Sequence, residues 1–133
     1  MPADVQQLLR DIDVFIEAGI KPLQRENPEL FDHRKEYPRT DVDRGGVPTK
    51  RWRDMLAEAR RRFDAAGFYR YALPKQLGGR EGSNLALAMI REHLAGLGPG
   101  LHAELSHEQS VVGNLAQALL VHEFGTPEHK EQY

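Results

Sequence analysis

Apolar positions near the start of the chain recur at steps of three and four. Val5, Leu8, Leu9, Ile12, Phe15, Ile16 and Leu23 fall on one stripe, with Asp4, Gln7, Arg10, Asp11 and Asp13 off it. A period of 3.6 residues brings such positions to one face, so the spacing predicts an amphipathic helix. Gly19 and Pro22 interrupt it. Proline has no N–H to donate and crowds the carbonyl four residues earlier, so a kink or break is expected there before the helix resumes to about Glu26. From Asn27 to Thr49 the periodicity fails, and Pro28, Pro38, Gly45, Gly46 and Pro48 punctuate a charged segment with little to fill a core. So long a stretch within a compact domain is expected to pack as an ordered excursion against something outside this chain.

Thr49 reads as the N-cap of the next helix, whose stripe is Trp52, Met55, Leu56, Ala59 and Phe63 and whose end falls near Gly67. A turn-rich loop from Phe68 to Gly82 precedes a helix from Ser83 or Asn84 to about Leu97. That helix is apolar around nearly its whole circumference and is expected to be buried on several sides. After Gly98-Pro99-Gly100 a fourth helix is predicted, with Val111, Val112, Leu115, Leu119, Leu120 and Phe124 facing inward. Gly125 ends it, and Thr126-Pro127 opens a fifth helix toward Tyr133. No stretch sustains period-two alternation and no repeat is present. The fold class expected is all-α, an up-and-down-like bundle of about five helices with a long irregular loop after the first.

The composition narrows the chemistry. The chain has 133 residues, 18 Lys+Arg against 20 Asp+Glu for a net charge of -2, and no cysteine. Disulfide frameworks, cysteine-ligated zinc, iron–sulfur clusters and thiol nucleophiles are thereby excluded. Near balance argues against binding polyanions by bulk charge. Arg60, Arg61 and Arg62, with Lys50, Arg51 and Arg53 nearby, alternate with Asp54, Glu58 and Asp64, which reads as a solvated, self-paired helix face and not a nucleic-acid stripe. Acidic residues among the first twenty argue against a secretory signal, and no run approaches the ~18 apolar residues a bilayer crossing needs. A cytoplasmic protein with no membrane span is expected.

Six histidines, at 33, 93, 102, 107, 122 and 129, raise the question of a metal. None lies in a His-Glu-x-x-His pattern, and no pair stands four apart on one helix, so no metal site is expected. Ser106, His107 and Glu108 include the residue types of a hydrolytic triad, but helical neighbours project about 100° apart, and Ser106 with Gln109 reads as a capping box. Gly78, Gly79 and Gly82 ahead of Ser83 could cradle a phosphate; without a preceding strand or a Gly-Lys-Ser/Thr sequence they read as a tight interhelical loop. Taken alone, these residues describe a helical domain with no complete catalytic set.

Longer motifs carry the reading further. Gly67-Phe68-Tyr69 through Leu73-Pro74-Lys75-Gln76-Leu77-Gly78-Gly79, then Arg91-Glu92-His93-Leu94-Ala95, then Phe124-Gly125-Thr126-Pro127-Glu128-His129-Lys130-Glu131-Gln132-Tyr133 resemble the N-terminal domain of the acyl-CoA dehydrogenases. Phe15-Ile16 through Pro22 also resembles that family's first helix, so the similarity covers nearly the whole chain. His93 and His129 depart from the family's acid and glutamine, and the Asn27 to Thr49 segment is longer than usual.

The resemblance implies that residues 1–133 form a single α-helical domain at the N-terminal end of a longer flavoprotein, whose middle β domain and C-terminal helical domain hold FAD and the catalytic base. It implies an FAD-dependent acyl-CoA dehydrogenase, inactive as this piece alone, with an acyl-CoA substrate, an electron-transfer acceptor and a homodimeric or homotetrameric assembly. Catalytic residues are then expected elsewhere, and His102, Ala103, Ser106, His107 and Ser110 are expected to wall the acyl-chain cavity. Small side chains such as Ala103 and Ser106 leave room for an apolar tail, whereas two histidines suit a short, polar or bulky acyl group. An acyl-CoA oxidase or flavin monooxygenase of the same fold, and a non-enzymatic helical module binding acyl-CoA or protein, stand as alternatives.

Overall fold

In the computed structural model, which describes residues 2–105 and 113–132, the first apolar stripe forms a helix that changes pitch ahead of its proline. Helix α1 spans Ala3–Phe15, a wide turn of π type spans Ile16–Ile20, and α2 spans Lys21–Arg25 with Pro22 in its first turn. Pro22 can return no N–H to the preceding turn. The backbone widens instead, and the Lys21 N–H reaches back five residues to the Ile16 carbonyl. The expected break is therefore an expansion placed just before the proline.

Helix α3, Lys50–Ala65, packs beside this turn. Its Arg62 donates through Nη1 to the Gly19 carbonyl at 2.7 Å, so a backbone acceptor in the wide turn is satisfied from another helix. Thr49 Oγ1 caps α3 by accepting the Trp52 N–H at 3.2 Å. Gly67, at φ +79°, ends it, and the Phe68 N–H turns back to the Phe63 carbonyl at 3.0 Å. Helix α4, Asn84–Gly96, starts on Ser83, whose Oγ accepts the Ala86 N–H at 3.1 Å.

The three stripes meet in one core. Leu8, Ile12, Ile16 and Ile20 from the first segment face Met55, Ala59 and Phe63 of α3 and Ala86, Ile90 and Leu94 of α4. Phe15 closes one side, its ring centroid 5.4 Å from those of Phe63 and Phe68. Helix α4 buries only one face. Leu85 and Leu97 stay exposed, so the expected burial on several sides is not found within the described residues.

The segment from 27 to 49 differs from expectation in a second way. It packs on this chain and it contributes to the core. A 3-10 turn at Pro28–Phe31 buries Leu30, and two short strands, β1 at Thr40–Asp41 and β2 at Val47–Pro48, pair antiparallel with Thr40 opposite Pro48. The Arg39 guanidinium lies 4.9 Å from the Phe31 ring centroid and 4.3 Å from that of Trp52, while Nε donates to the Leu30 carbonyl at 2.9 Å. A cation seated on two aromatic faces does the fastening that an apolar cluster would otherwise provide.

After α4 come a 3-10 turn at Leu101–Leu105, helix α5 at Gly113–Phe124 and helix α6 at Pro127–Gln132. The inward orientation expected for α5 is corrected. Leu119, Leu120 and Phe124 are 38%, 59% and 83% exposed, because α5 packs on α6, a short polar helix, and no described element covers that face. Val111, Val112 and the Leu115 side chain fall outside the described residues. Among the described residues, no helix is long and apolar enough to cross a membrane.

Candidate functional site

The chain reverses after α4 at Gly98, φ +79°, and the following turn is pinned from two sides. Leu101 is buried, and its N–H donates to Gln24 Oε1 at the end of α2 at 2.8 Å. Gly100 permits that approach, since a Cβ there would stand 3.2 Å from the same oxygen. His102, next in the turn, is 5% exposed and its Nε2 lies 3.0 Å from the Gly98 carbonyl. The Ala103 N–H donates to the Gly100 carbonyl at 3.0 Å, which leaves its methyl half-buried beside the histidine.

His102 faces a pocket of about 320 Å³ whose other walls are Asp13, Ile16, Glu17, Lys21 and Leu97. The wide turn at Ile16–Ile20 and the end of α1 thus form one side, and the end of α4 with its turn forms the other. Its charges are internally matched. Lys21 pairs with Glu17, and His93 Nε2 meets Asp13 Oδ1 at 2.6 Å, tying α4 to α1. His93 stands where the resembled family carries an acid, and its contact with the Asp13 carboxylate is one that an acid there would replace by like-charge repulsion.

Of the predicted wall residues, the structure brings His102 and Ala103 together in this turn; Ser106, His107 and Ser110 lie outside the described residues, as does the Ser106 and Gln109 cap. The pattern reading missed Asp13, Gln24 and Lys21 as neighbours of this site. Only the Glu17 and Lys21 pair, four residues apart, left a signal along the chain.

The glycine turn before α4 does not offer a phosphate cradle. The N–H groups of Gly78, Gly79, Arg80, Glu81 and Gly82 all return to carbonyls of Tyr71, Leu73, Pro74 or Lys75. A Cβ on Gly79 would collide with the Leu73 carbonyl, and one on Gly82 with the Tyr71 ring, so these glycines serve close packing. With those donors committed, the turn has none left for the pyrophosphate of a flavin dinucleotide. A more open pocket, about 490 Å³, lies over the 27 to 49 segment between His33, Lys35, Tyr37 and Arg39. Its Asp32 is already engaged by Arg34, which holds the carboxyl below its ordinary range. Among the described residues, no three histidine or carboxylate side chains gather to hold a metal ion.

The family model described as acyl-CoA dehydrogenase, N-terminal domain, matches residues 3–133. No curated relative and no solved structure matches the chain.

Proposed function

Because the chain belongs to the acyl-CoA dehydrogenase family through its N-terminal domain, we propose that it walls the acyl pocket of an enzyme dehydrogenating acyl-CoA thioesters across Cα–Cβ. The bound flavin supplies the hydride acceptor. The glycine turn before α4 has no free N–H to offer that group, so the flavin is assigned mainly to a middle β domain and a C-terminal helical domain of a longer protein, which also carry the base. Residues 1–133 then act as one helical domain of a cytoplasmic homodimer or homotetramer that passes electrons to a separate acceptor.

The observation that carries this reading is the fixed turn at Leu101–Leu105. The resemblance puts the acyl wall here, and a wall works only if it holds its shape while the substrate is bound. Hydrogen bonds from Leu101 to Gln24 and from His102 to Gly98, together with burial of both side chains, hold it. Ala103 adds a small side chain that leaves width for a tail. These residues position an acyl chain and exclude water; none is assigned a bond-breaking role.

Purified full-length protein tests the proposal. It should carry flavin and reduce an artificial dye only when an acyl-CoA is added, with one enoyl-CoA formed per two electrons. A flavin-free protein, or one inert toward short, medium and long acyl-CoA thioesters, would contradict it.

A further inference from the structure

A guanidinium seated against aromatic rings is held there by its charge and keeps its N–H groups for other partners. Arg39 is held in this way by Phe31 and Trp52, and it spends Nε on the Leu30 carbonyl. Its Nη1 and Nη2 have no acceptor among the described residues and stay open to solvent. The result is a fork of N–H donors positioned before any ligand arrives, and such a fork matches the paired oxygens of a phosphate or a carboxylate.

Arg39 lines the more open pocket of about 490 Å³, together with Lys35, Tyr37 and, from the turn after α4, Pro99. The charges in that lining favour an anion. Asp32 is engaged through both oxygens by Arg34, which leaves Glu36 as the one uncommitted carboxylate of the lining against Lys35 and Arg39. Lys35 acts on Asp32 only through space, and His33 is a third lining residue able to carry positive charge. The volume exceeds what a bare phosphate needs and lies in the range of small-molecule sites. Tyr37, 57% exposed and without a ring contact among the described residues, offers an aromatic face that a planar base would cover. We propose that this pocket is a mononucleotide site, in which Arg39 Nη1 and Nη2 and Lys35 Nζ hold the phosphate and the Tyr37 ring stacks on the base.

Calorimetric titration of the full-length protein with AMP, adenosine and inorganic phosphate tests this. AMP should bind about ten-fold more tightly than either fragment, because it alone engages both the fork and the ring. Tyr37→Ala, at an exposed position, should weaken AMP about ten-fold and leave phosphate unchanged. Arg39→Lys, which keeps a cation against the rings without the fork, should weaken both. A parallel titration with coenzyme A separates two sources of the same chemistry. Competition with AMP assigns the pocket to the nucleotide end of a thioester, and simultaneous binding assigns it to a free nucleotide. Absence of saturable AMP binding, phosphate held as tightly as AMP, or an AMP affinity unmoved by Tyr37→Ala overturns the inference. It stands apart from the acyl reading: a protein that binds AMP in this way and oxidises no acyl-CoA would contradict that reading alone.

Discussion

Arg62 joins two facts about one residue: Nη1 reaches the Gly19 carbonyl and Nε holds Glu58 at 2.7 Å. Arg62→Met keeps much of the stem and removes the donor, leaving a half-buried carbonyl in the wide turn unpaired. The expected loss is about 1–3 kcal/mol of unfolding free energy, read as a lower urea midpoint with unchanged slope. Glu58 gives a pH signature. Hydrogen bonds from Arg61, then Arg62, bring its carboxyl from 4.5 to about 2. The folded value lies below the unfolded one, so this stabilisation is present above pH 4.5 and is lost as pH falls toward about 2. Urea midpoints should fall across that window in the wild type and fall less in Glu58→Gln. High salt should shrink the difference, because the cluster is partly solvated. Pairs such as Glu58 with Arg62 were legible as a helix face. The Arg62 to Gly19, Gln24 to Leu101 and His93 to Asp13 contacts join residues 43, 77 and 80 apart, and no periodicity announces them.

Caps and stripes carried most of the element-level information. Thr49, Ser83 and Thr126 mark helix starts and Gly67 a helix end in local chemistry, and the structure begins α3, α4 and α6 directly after those three starts and ends α3 just before Gly67. The 27 to 49 segment was not legible, because its anchor is Arg39 between Phe31 and Trp52, a charged residue acting where an apolar one is looked for. Arg39→Leu should loosen the segment. Trypsin cleavage after Arg34, Lys35 and Arg44 should speed up several-fold relative to cleavage within α3, and an unchanged pattern would count against the aromatic clamp. The α5 correction has its own consequence. An exposed Phe124 beside Leu120 makes the 133-residue chain prone to self-association and to binding hydrophobic dyes. Leu120→Lys with Phe124→Glu should reduce both and leave the unfolding free energy, read from the urea midpoint, within about 0.5 kcal/mol of wild type. A large drop in stability would mean that this face is buried within the chain.

For the whole molecule, the order of motifs along the chain was enough to name the family, because each motif encodes a local shape: a glycine-ended helix, a proline–glycine turn, a capped final helix. The pocket at His102 was not visible that way. Asp13, Glu17, Leu97 and His102 come from the first helical segment and from the turn after α4, and only packing of α1 against α4 brings them together. The central claim is that the turn after α4 lies against the acyl chain. A six- to eight-carbon acyl-CoA bearing a terminal diazirine, photolysed on the full-length protein and mapped by mass spectrometry, addresses it directly. The account predicts labelling concentrated in residues 101–110 and suppressed by unlabelled acyl-CoA. Labelling absent from that stretch, with competed labelling elsewhere, would contradict it.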